Sequence, residues 1–223
     1  MVLIKRILAI VVKDFKSEYR TRYGISAIFL FVLTAITMLV FAMGFDRLNS
    51  SIFSGLMWTI MFFGSMTGLS KGFVREEERQ TTMLLKLTSH PTAIYFGKLI
   101  YNLFFSIAIN ILVVVLFLFF FDELVIRNFW AFVVILLLGS VGLGSASTVI
   151  SAIISKAGMK NSLFTVLSFP VLLPLIFVGI EVTAKALEGE EISKMLNDMQ
   201  LLLAYSGILI PLSFIVFDMI WEE

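Results

Sequence analysis

Six long stretches of the chain contain no Asp, Glu, Lys or Arg, and they constrain the fold more than any other feature. Between successive charged residues they measure 23, 23, 23, 28, 20 and 19 residues. They are residues 23–45, 48–70, 99–121, 128–155, 161–180 and 199–217. Because about 20 apolar residues in a helix cross roughly 30 Å of bilayer hydrocarbon, each stretch is long enough for one transmembrane helix. The sequence therefore predicts six spans.

The predicted fold class is all-α, a polytopic membrane protein. The chain is 59% hydrophobic and only 15% charged, well below the roughly 25% charge typical of a soluble domain. The stretches are continuously apolar rather than alternating, which favours helices over the strands of a barrel. All connections are shorter than 30 residues, so residues 1–223 form a single transmembrane domain.

Residues 1–22 predict an amphipathic elbow helix ahead of the first span. One face is apolar and the other is basic. The apolar residues are Leu3, Ile4, Ile7, Leu8, Val11, Val12, Phe15 and Tyr19, and the polar ones are Lys5, Arg6, Lys13, Lys16, Ser17 and Arg20. One interpretation is a basic anchor held at the membrane surface by anionic lipid. Another adds contact with a cytoplasmic partner through Asp14 and Glu18. The segment has no signal-peptide cleavage pattern, so we expect it to be retained.

The distribution of Lys and Arg predicts the orientation. With six spans, 13 of these residues fall on the side of the N-terminus and of residues 71–98, and four fall on the other side. The positive-inside rule therefore places both termini and the charged segment 71–98 in the cytoplasm. The net charge of only +1 hides this asymmetry, and no nucleic-acid partner is expected.

The outward connection at residues 181–199 differs from the other two, which are short. It mixes apolar residues with Glu188, Glu190, Glu191 and Lys194 around Gly189. This pattern predicts two short amphipathic turns at the outer surface. They either meet a periplasmic partner or form an interfacial cap on the last two spans.

Two spans carry internal patterns. In the fourth span, small residues follow one another at four-residue spacing, which permits close approach of helices; they are Ser140, Gly144, Thr148 and Ala152. Helix packing, a dimer seam or a substrate-facing wall would each use them. In the fifth span, Pro170 and Pro174 each remove a helix hydrogen bond, so we expect a bend or an unwound segment with a role in gating.

Several chemistries are missing from the sequence. There is no cysteine and no GxxxxGK[ST] phosphate loop, and none of the six uncharged stretches carries an ionisable carrier group of the Asp, Glu, Lys or Arg type. The lone His90 lies in the segment 71–98, where a polar loop residue is the ordinary interpretation. No catalytic, cofactor-binding or metal-binding residue is therefore expected. A transporter of this kind is not an enzyme and takes its energy from another chain.

Three stretches of the sequence carry a family resemblance. A strip after the second span runs FVREEER at 73–79, LLKL at 84–87, Pro91 and GK at 97–98, and two of the spans contain LGSVGLG at 138–144 and PVLLPLIF at 170–177. By the strip the chain resembles ABC-2-type permeases, and by the two span motifs it more closely resembles the haem exporter protein B family (CcmB). The strip departs from the family pattern at Arg79-Gln80-Thr81 and Met83, where members carry an acidic residue and Gly followed by Glu.

The resemblance implies a subunit of an ABC complex of the bacterial inner membrane that serves cytochrome c maturation. Two permease copies would sit on two copies of a cytoplasmic ABC ATPase, with a haem-handling membrane protein as a further partner. ATP would bind to the ATPase, and its hydrolysis would drive haem export or release of the haem-loaded periplasmic chaperone. The segment 71–98 would contain a coupling helix that receives the motion of the ATPase. Its expected coupling residues are Arg75, Glu76, Glu77, Glu78, Arg79 and Lys86.

Haem itself is expected as a transported or partner-held ligand rather than one bound directly. The chain has no cysteine, and its one histidine lies on the predicted cytoplasmic side. Two alternatives fit the same broad features. One is an ABC-2 exporter permease for lipid-linked glycan or a small amphiphile, and the other is a membrane assembly scaffold that transports nothing.

Overall fold

A computed structural model describes residues 2–43, 49–70, 72–73, 76, 80–121, 125–156 and 162–222. Every regular element of these residues is helical. The helices are α1 (Val2–Thr21), α2 (Tyr23–Met43), α3 (Ser50–Leu69), α4 (Thr82–Thr88), α5 (Pro91–Phe120), α6 (Phe129–Lys156), α7 (Ser162–Glu188) and α8 (Ile192–Glu222). In the described part of the chain, six of them, α2, α3, α5, α6, α7 and α8, are long and apolar enough to cross a membrane. The all-α class and the six spans are confirmed.

The third span starts earlier than its uncharged stretch. Helix α5 begins at Pro91, eight residues before residue 99, and it includes Lys98. Pro91 suits the first position of a helix because its missing N–H has no partner there. His90 caps the helix, since its Nδ1 accepts a hydrogen bond from the Thr92 backbone N–H at 3.4 Å. The last residues of the predicted cytoplasmic segment are therefore the first turns of a spanning helix.

The connection at residues 181–199 is also helical for most of its length, so the predicted pair of short amphipathic turns is wrong. Helix α7 continues to Glu188 and α8 starts at Ile192, around a tight turn in which Gly189 has φ +82°. Glycine adopts this left-handed backbone without steric cost. Lys185 Nζ lies 2.8 Å from both Glu181 Oε1 and Asp198 Oδ2. These pairs neutralise charge on the two extended helix ends.

Helix α6 lies at the centre of the bundle, and its glycines admit a different neighbour at each level. Gly139 faces the indole of Trp58 on α3, and Gly142 faces Leu175 on α7. At Gly144, a Cβ atom would lie 3.2 Å from the Asn102 carbonyl oxygen on α5. Without a hydrophobic drive between helices in lipid, such close backbone approach is a main source of association.

Trp58 is the largest fully buried side chain in the half of the bundle far from Lys98. It is buried, and its indole Nε1 donates a hydrogen bond to Thr183 Oγ1 at 2.9 Å. Its ring lies where a Cβ at Gly139 or Gly179 would be, so both positions require glycine. In the same half, Asn128 connects the start of α6 to the turn between α7 and α8, because its Nδ2 donates a hydrogen bond to the Glu190 carbonyl at 3.0 Å.

Helix α1 packs against the first turns of α5. Ile10 lies against Gly97, where a Cβ atom would come within 2.7 Å of the isoleucine side chain. The chain then turns into α2 at Arg22, which has φ 51° and whose N–H bonds the Glu18 carbonyl at 3.0 Å. A left-handed residue in this position ends a helix and redirects the chain.

Candidate functional site

Lys98 is a buried cation at the start of the third span. It is 2% exposed, and its Nζ donates to the Gly72 carbonyl at 3.0 Å. The same nitrogen lies 3.0 Å from Asp14 Oδ2 and 3.1 Å from Glu76 Oε1. A buried ammonium is strongly unfavourable unless it is paired and hydrogen-bonded. Three separate parts of the chain, α1, the connection that contains Gly72 and Glu76, and α5, are therefore held together at this point.

Glu76 forms an ion pair with a second cation, Lys13, and accepts a hydrogen bond from the hydroxyl of Thr81. Lys13 contacts Glu76 Oε1 and lies 3.3 Å from Asp14 Oδ1, and Thr81 Oγ1 donates to Glu76 Oε2 at 2.6 Å. Burial alone would raise the pKa of Glu76, but Lys98, Lys13 and Thr81 outweigh it and lower this pKa to about 2. Burial likewise opposes the charge of Lys13, yet the two carboxylates raise its pKa above 10.5. We call Lys13, Asp14, Glu76 and Lys98 the Lys98 cluster.

The acidic residues of α1 point into the protein. Asp14 and Glu18 are 8% and 6% exposed, so the prediction that they contact a cytoplasmic partner is wrong. The physical reason for Asp14 is the nearer countercharge of Lys98 on α5. The exposed surface of α1 is instead partly apolar, with Leu8 and Tyr19 among its exposed side chains.

A buried polar seam continues from Lys98 along α5. Asn102, Ser106 and Asn110 follow Lys98 at four-residue intervals, and each is at most 1% exposed. The spacing places all four residues on one face of the helix. Asn102 Nδ2 donates to Thr148 Oγ1 on α6 at 2.9 Å.

The deeper part of this seam is also hydrogen-bonded. Asn110 Nδ2 donates to Ser140 Oγ at 2.9 Å, and Ser65 Oγ of α3 donates to Asn110 Oδ1 at 3.3 Å. Within the described residues, Asn102 Oδ1 and Ser106 Oγ are buried without a hydrogen-bond partner. The seam residues carry no charge, so the distribution of charged residues does not identify them, although their four-residue spacing is visible in the sequence.

The small-residue stripe of α6 lies inside the chain. Ser140 and Thr148 accept the hydrogen bonds from α5, and Gly144 provides the close approach between the two helices. Ala152 packs in a smaller cluster with Phe73. All four predicted residues are therefore occupied by contacts within one copy.

The two prolines of α7 do not interrupt it. The segment is helical from Ser162 to Glu188 with Pro170 and Pro174 inside. Of the two expected outcomes, an unwound segment is therefore wrong, and a bend with a role in gating stays a prediction. Tyr205 of α8 donates its hydroxyl to the Val171 carbonyl at 2.7 Å, which gives one exposed carbonyl of this region a partner.

Helix α4 connects the second and third spans and has no buried residue. Met83 and Leu87 are 72% and 76% exposed. Of the predicted coupling residues, Lys86 is exposed on α4 and Glu76 belongs to the Lys98 cluster. Arg75, Glu77, Glu78 and Arg79 lie outside the described residues. Gln80 has φ 55°, a left-handed conformation that glycine adopts more readily than other residues.

A cavity of about 710 Å³ lies among α1, α4 and α5. It is bordered by the Lys98 cluster and reaches Asn102 of the polar seam. Among the described residues there is no group of three or more His, Cys, Asp or Glu side chains that could hold a metal ion.

These elements define a polytopic helical membrane protein with an N-terminal helix packed on its third span. A family model described as CcmB protein matches residues 5–216. The match covers nearly the whole chain, so the chain belongs to the CcmB protein family, whose members are membrane permease components of haem export and cytochrome c maturation. A comparison with curated proteins finds no match.

Proposed function

We propose that this permease receives energy from a separate ATPase subunit and uses it for haem export or for release of a haem-loaded periplasmic chaperone. The observation that carries the proposal is α4. A seven-residue helix with exposed Met83, Leu84 and Leu87 lies between two spanning helices, and none of its residues is buried. An apolar helical face of this kind is suited to insertion into a groove of a partner protein.

A displacement of α4 has a physical route into the bundle. Thr81, next to the first residue of α4, is bonded to Glu76. Glu76 is paired with Lys98 of α5 and with Lys13 of α1. Coupling travels through such packed and bonded contacts when they join elements that move as units. In this proposal α5 and α1 move together with α4. Helix α6 then transmits this displacement to the proline-containing helix α7.

The proposal places α4 and both termini in the cytoplasm of a bacterium, with the spans in the inner membrane. A second copy of the permease and a haem-handling membrane protein complete the assembly, and ATP binds to the ATPase. In the proposal haem is not held by histidine, because the one histidine of the sequence, His90, caps α5 at the same end of the bundle as α4, on the predicted cytoplasmic side.

The test is a double substitution on the exposed face of α4, Met83→Asp with Leu87→Asp. We expect at least about a tenfold loss of co-purifying ATPase and a parallel loss of cytochrome c maturation, while the amount of membrane-inserted protein is unchanged. Val125→Asp is the matched control, because Val125 is also an exposed apolar residue (65%) but belongs to a connection at the other end of the bundle. Full co-purification with the double variant would contradict the proposal.

A further inference from the structure

The cavity beside the Lys98 cluster has three differently built walls. Helix α1 supplies a polar and charged wall, α4 supplies Leu84 and Leu85, and the floor comes from α3 and α5. The floor residues that matter here are Leu69, Tyr101 and Asn102. Its volume of about 710 Å³ lies in the range of small-molecule sites.

The charges along this cavity are distributed unequally between its interior and its rim. In the interior, Lys13 and Lys98 are balanced by Asp14 and Glu76. At the rim, Lys16 and Arg20 are exposed and lie one helical turn apart on α1. Neither makes an ion pair with any described residue. Glu18, a buried carboxylate of α1, also lines the cavity, so four cations face three carboxylates and the lining keeps a net formal charge of +1. The exposed cations that carry this excess lie at the rim.

The remaining lining indicates an amphiphile. Leu69, Leu84 and Leu85 provide apolar surface beside the charged wall, and Asn102 at the inner end carries a buried Oδ1 without a hydrogen-bond partner. A buried acceptor without a partner is unfavourable, so a ligand that brings a donor is stabilised there. The exposed apolar side chains of α1, such as Leu8 and Phe15, suit this helix to a position at the membrane surface.

We propose that this cavity binds the hydroxylated headgroup of an anionic phospholipid. The phosphodiester is recognised by Lys16 and Arg20, a headgroup hydroxyl donates to Asn102 Oδ1, and the leucines contact the start of the acyl chains. Haem, another anionic amphiphile, fits less well, because no described lining residue is His, Cys or Met and only Tyr101 belongs to the usual axial-ligand types. Since the occupant lies between α1 and α4, lipid binding sets the separation of these helices. The inference needs no ATPase and stands apart from the proposed function.

The experiment uses the purified full chain in neutral detergent, with phosphatidylglycerol and phosphatidylcholine as probes and native mass spectrometry as the readout. We expect preferential retention of phosphatidylglycerol. The variant Lys16→Gln with Arg20→Gln should weaken it by about fivefold for each charge removed. Lys5→Gln with Arg6→Gln removes the same charge from exposed positions of α1 that do not line the cavity, and it should change retention by less than about threefold. Equal losses in the two variants, or no loss in either, would overturn the proposal.

A second pair of variants keeps every charge. Ser17→Phe fills the cavity and should abolish the preference for phosphatidylglycerol, whereas Ala9→Phe places the same ring on an exposed part of α1 and should retain it. Thermal unfolding of each variant shows whether it is folded. Equal binding of glycerol 3-phosphate at the same concentration would overturn the lipid assignment in favour of a soluble phosphate. Displacement of phosphatidylglycerol by stoichiometric haem would overturn it in favour of haem.

Discussion

The two halves of the bundle are held together by different physical means. Near Lys98, the helices meet through four charged side chains, a polar seam and a cavity. In the other half, Trp58 fills the space left by Gly139 and Gly179 and is fixed by its bond to Thr183. Interdigitated packing tolerates almost no displacement. Ion pairs beside a cavity are less restrictive, because water or a ligand can replace a partner.

Under the proposed function, this difference indicates where motion would enter the molecule. A short exposed helix, α4, is hydrogen-bonded to the half held by charges, through Thr81 and Glu76. The packed half would then serve as the rigid frame against which α4 is displaced. The following substitutions test whether charge and packing divide the molecule in this way.

The largest effect is expected for Lys98→Met. The substitution keeps most of the length of the side chain but removes the more deeply buried of the two ammonium groups that Asp14 and Glu76 share, which costs about 3 to 5 kcal/mol. Thermal unfolding of the purified protein in detergent measures the loss. Lys185→Met is the matched control in the other half, because Lys185 also has two carboxylate partners at 2.8 Å but its side chain is 26% exposed. We expect about 1 kcal/mol there. Equal losses would remove the distinction between the halves.

A pH titration separates the same two regions. Glu76 has a pKa of about 2 in the folded protein, below the value near 4.5 of an unperturbed carboxyl. Its charged form therefore stabilises the fold fully above pH 4.5, and this contribution of up to about 3 kcal/mol is lost as the pH falls from 4.5 toward 2. We expect Glu76→Gln to be less stable than the wild type at pH 7 and to lose less stability on acidification. The control Glu181→Gln changes a carboxylate whose side chain is 65% exposed, and it should leave the acid dependence nearly unchanged.

The packed half is tested by Gly179→Ala. The new methyl group would overlap the ring of Trp58, so we expect a loss of about 1 to 3 kcal/mol in thermal unfolding. Gly207→Ala is the control, because Gly207 is also inside a helix but has no atom within 4 Å of the Cβ position. Alanine favours a helix over glycine by about 1 kcal/mol, so this control should be neutral or stabilising. Loss of stability in both variants would show that helix propensity or lipid contact, not Trp58, decides the effect.

The sequence predicts the spans well, because the absence of charge over about 20 residues is a direct requirement of the bilayer. The same rule fails at the ends of the helices. This rule treats every charged residue as a boundary, so it placed Lys98 outside the third span. In the structure Lys98 lies within α5, and Asp14 and Glu76 neutralise its charge there. The rule also ended the fifth span before Glu181, although Lys185 neutralises that residue within the helix.

The candidate site was predicted less completely for a related reason. The amphipathic pattern of α1 identifies a helix, but it does not show that Asp14 lies toward α5, since this depends on the position of Lys98 in space. The seam residues Asn102, Ser106 and Asn110 form a pattern in the sequence, but their partners Thr148 and Ser140 come from another helix. Only the packing of α5 on α6 shows that these residues form one seam.

The smallest effects distinguish the two ends of that seam. Asn102 to Thr148 and Asn110 to Ser140 are hydrogen bonds of the same length, 2.9 Å, in the same pair of helices. Double-mutant cycles with Asn102→Leu and Thr148→Val, and with Asn110→Leu and Ser140→Ala, measure the two coupling energies by thermal unfolding. Couplings of this kind in membrane helices average about 0.6 kcal/mol and reach about 1.7 kcal/mol. We expect the larger value for Asn110. Asn102 lines the cavity, where water replaces a lost partner, and Asn110 is enclosed between α3 and α6. A coupling at Asn102 equal to or above that at Asn110 would show that the cavity does not hydrate the seam, and that the half near Lys98 is packed as tightly as the half around Trp58.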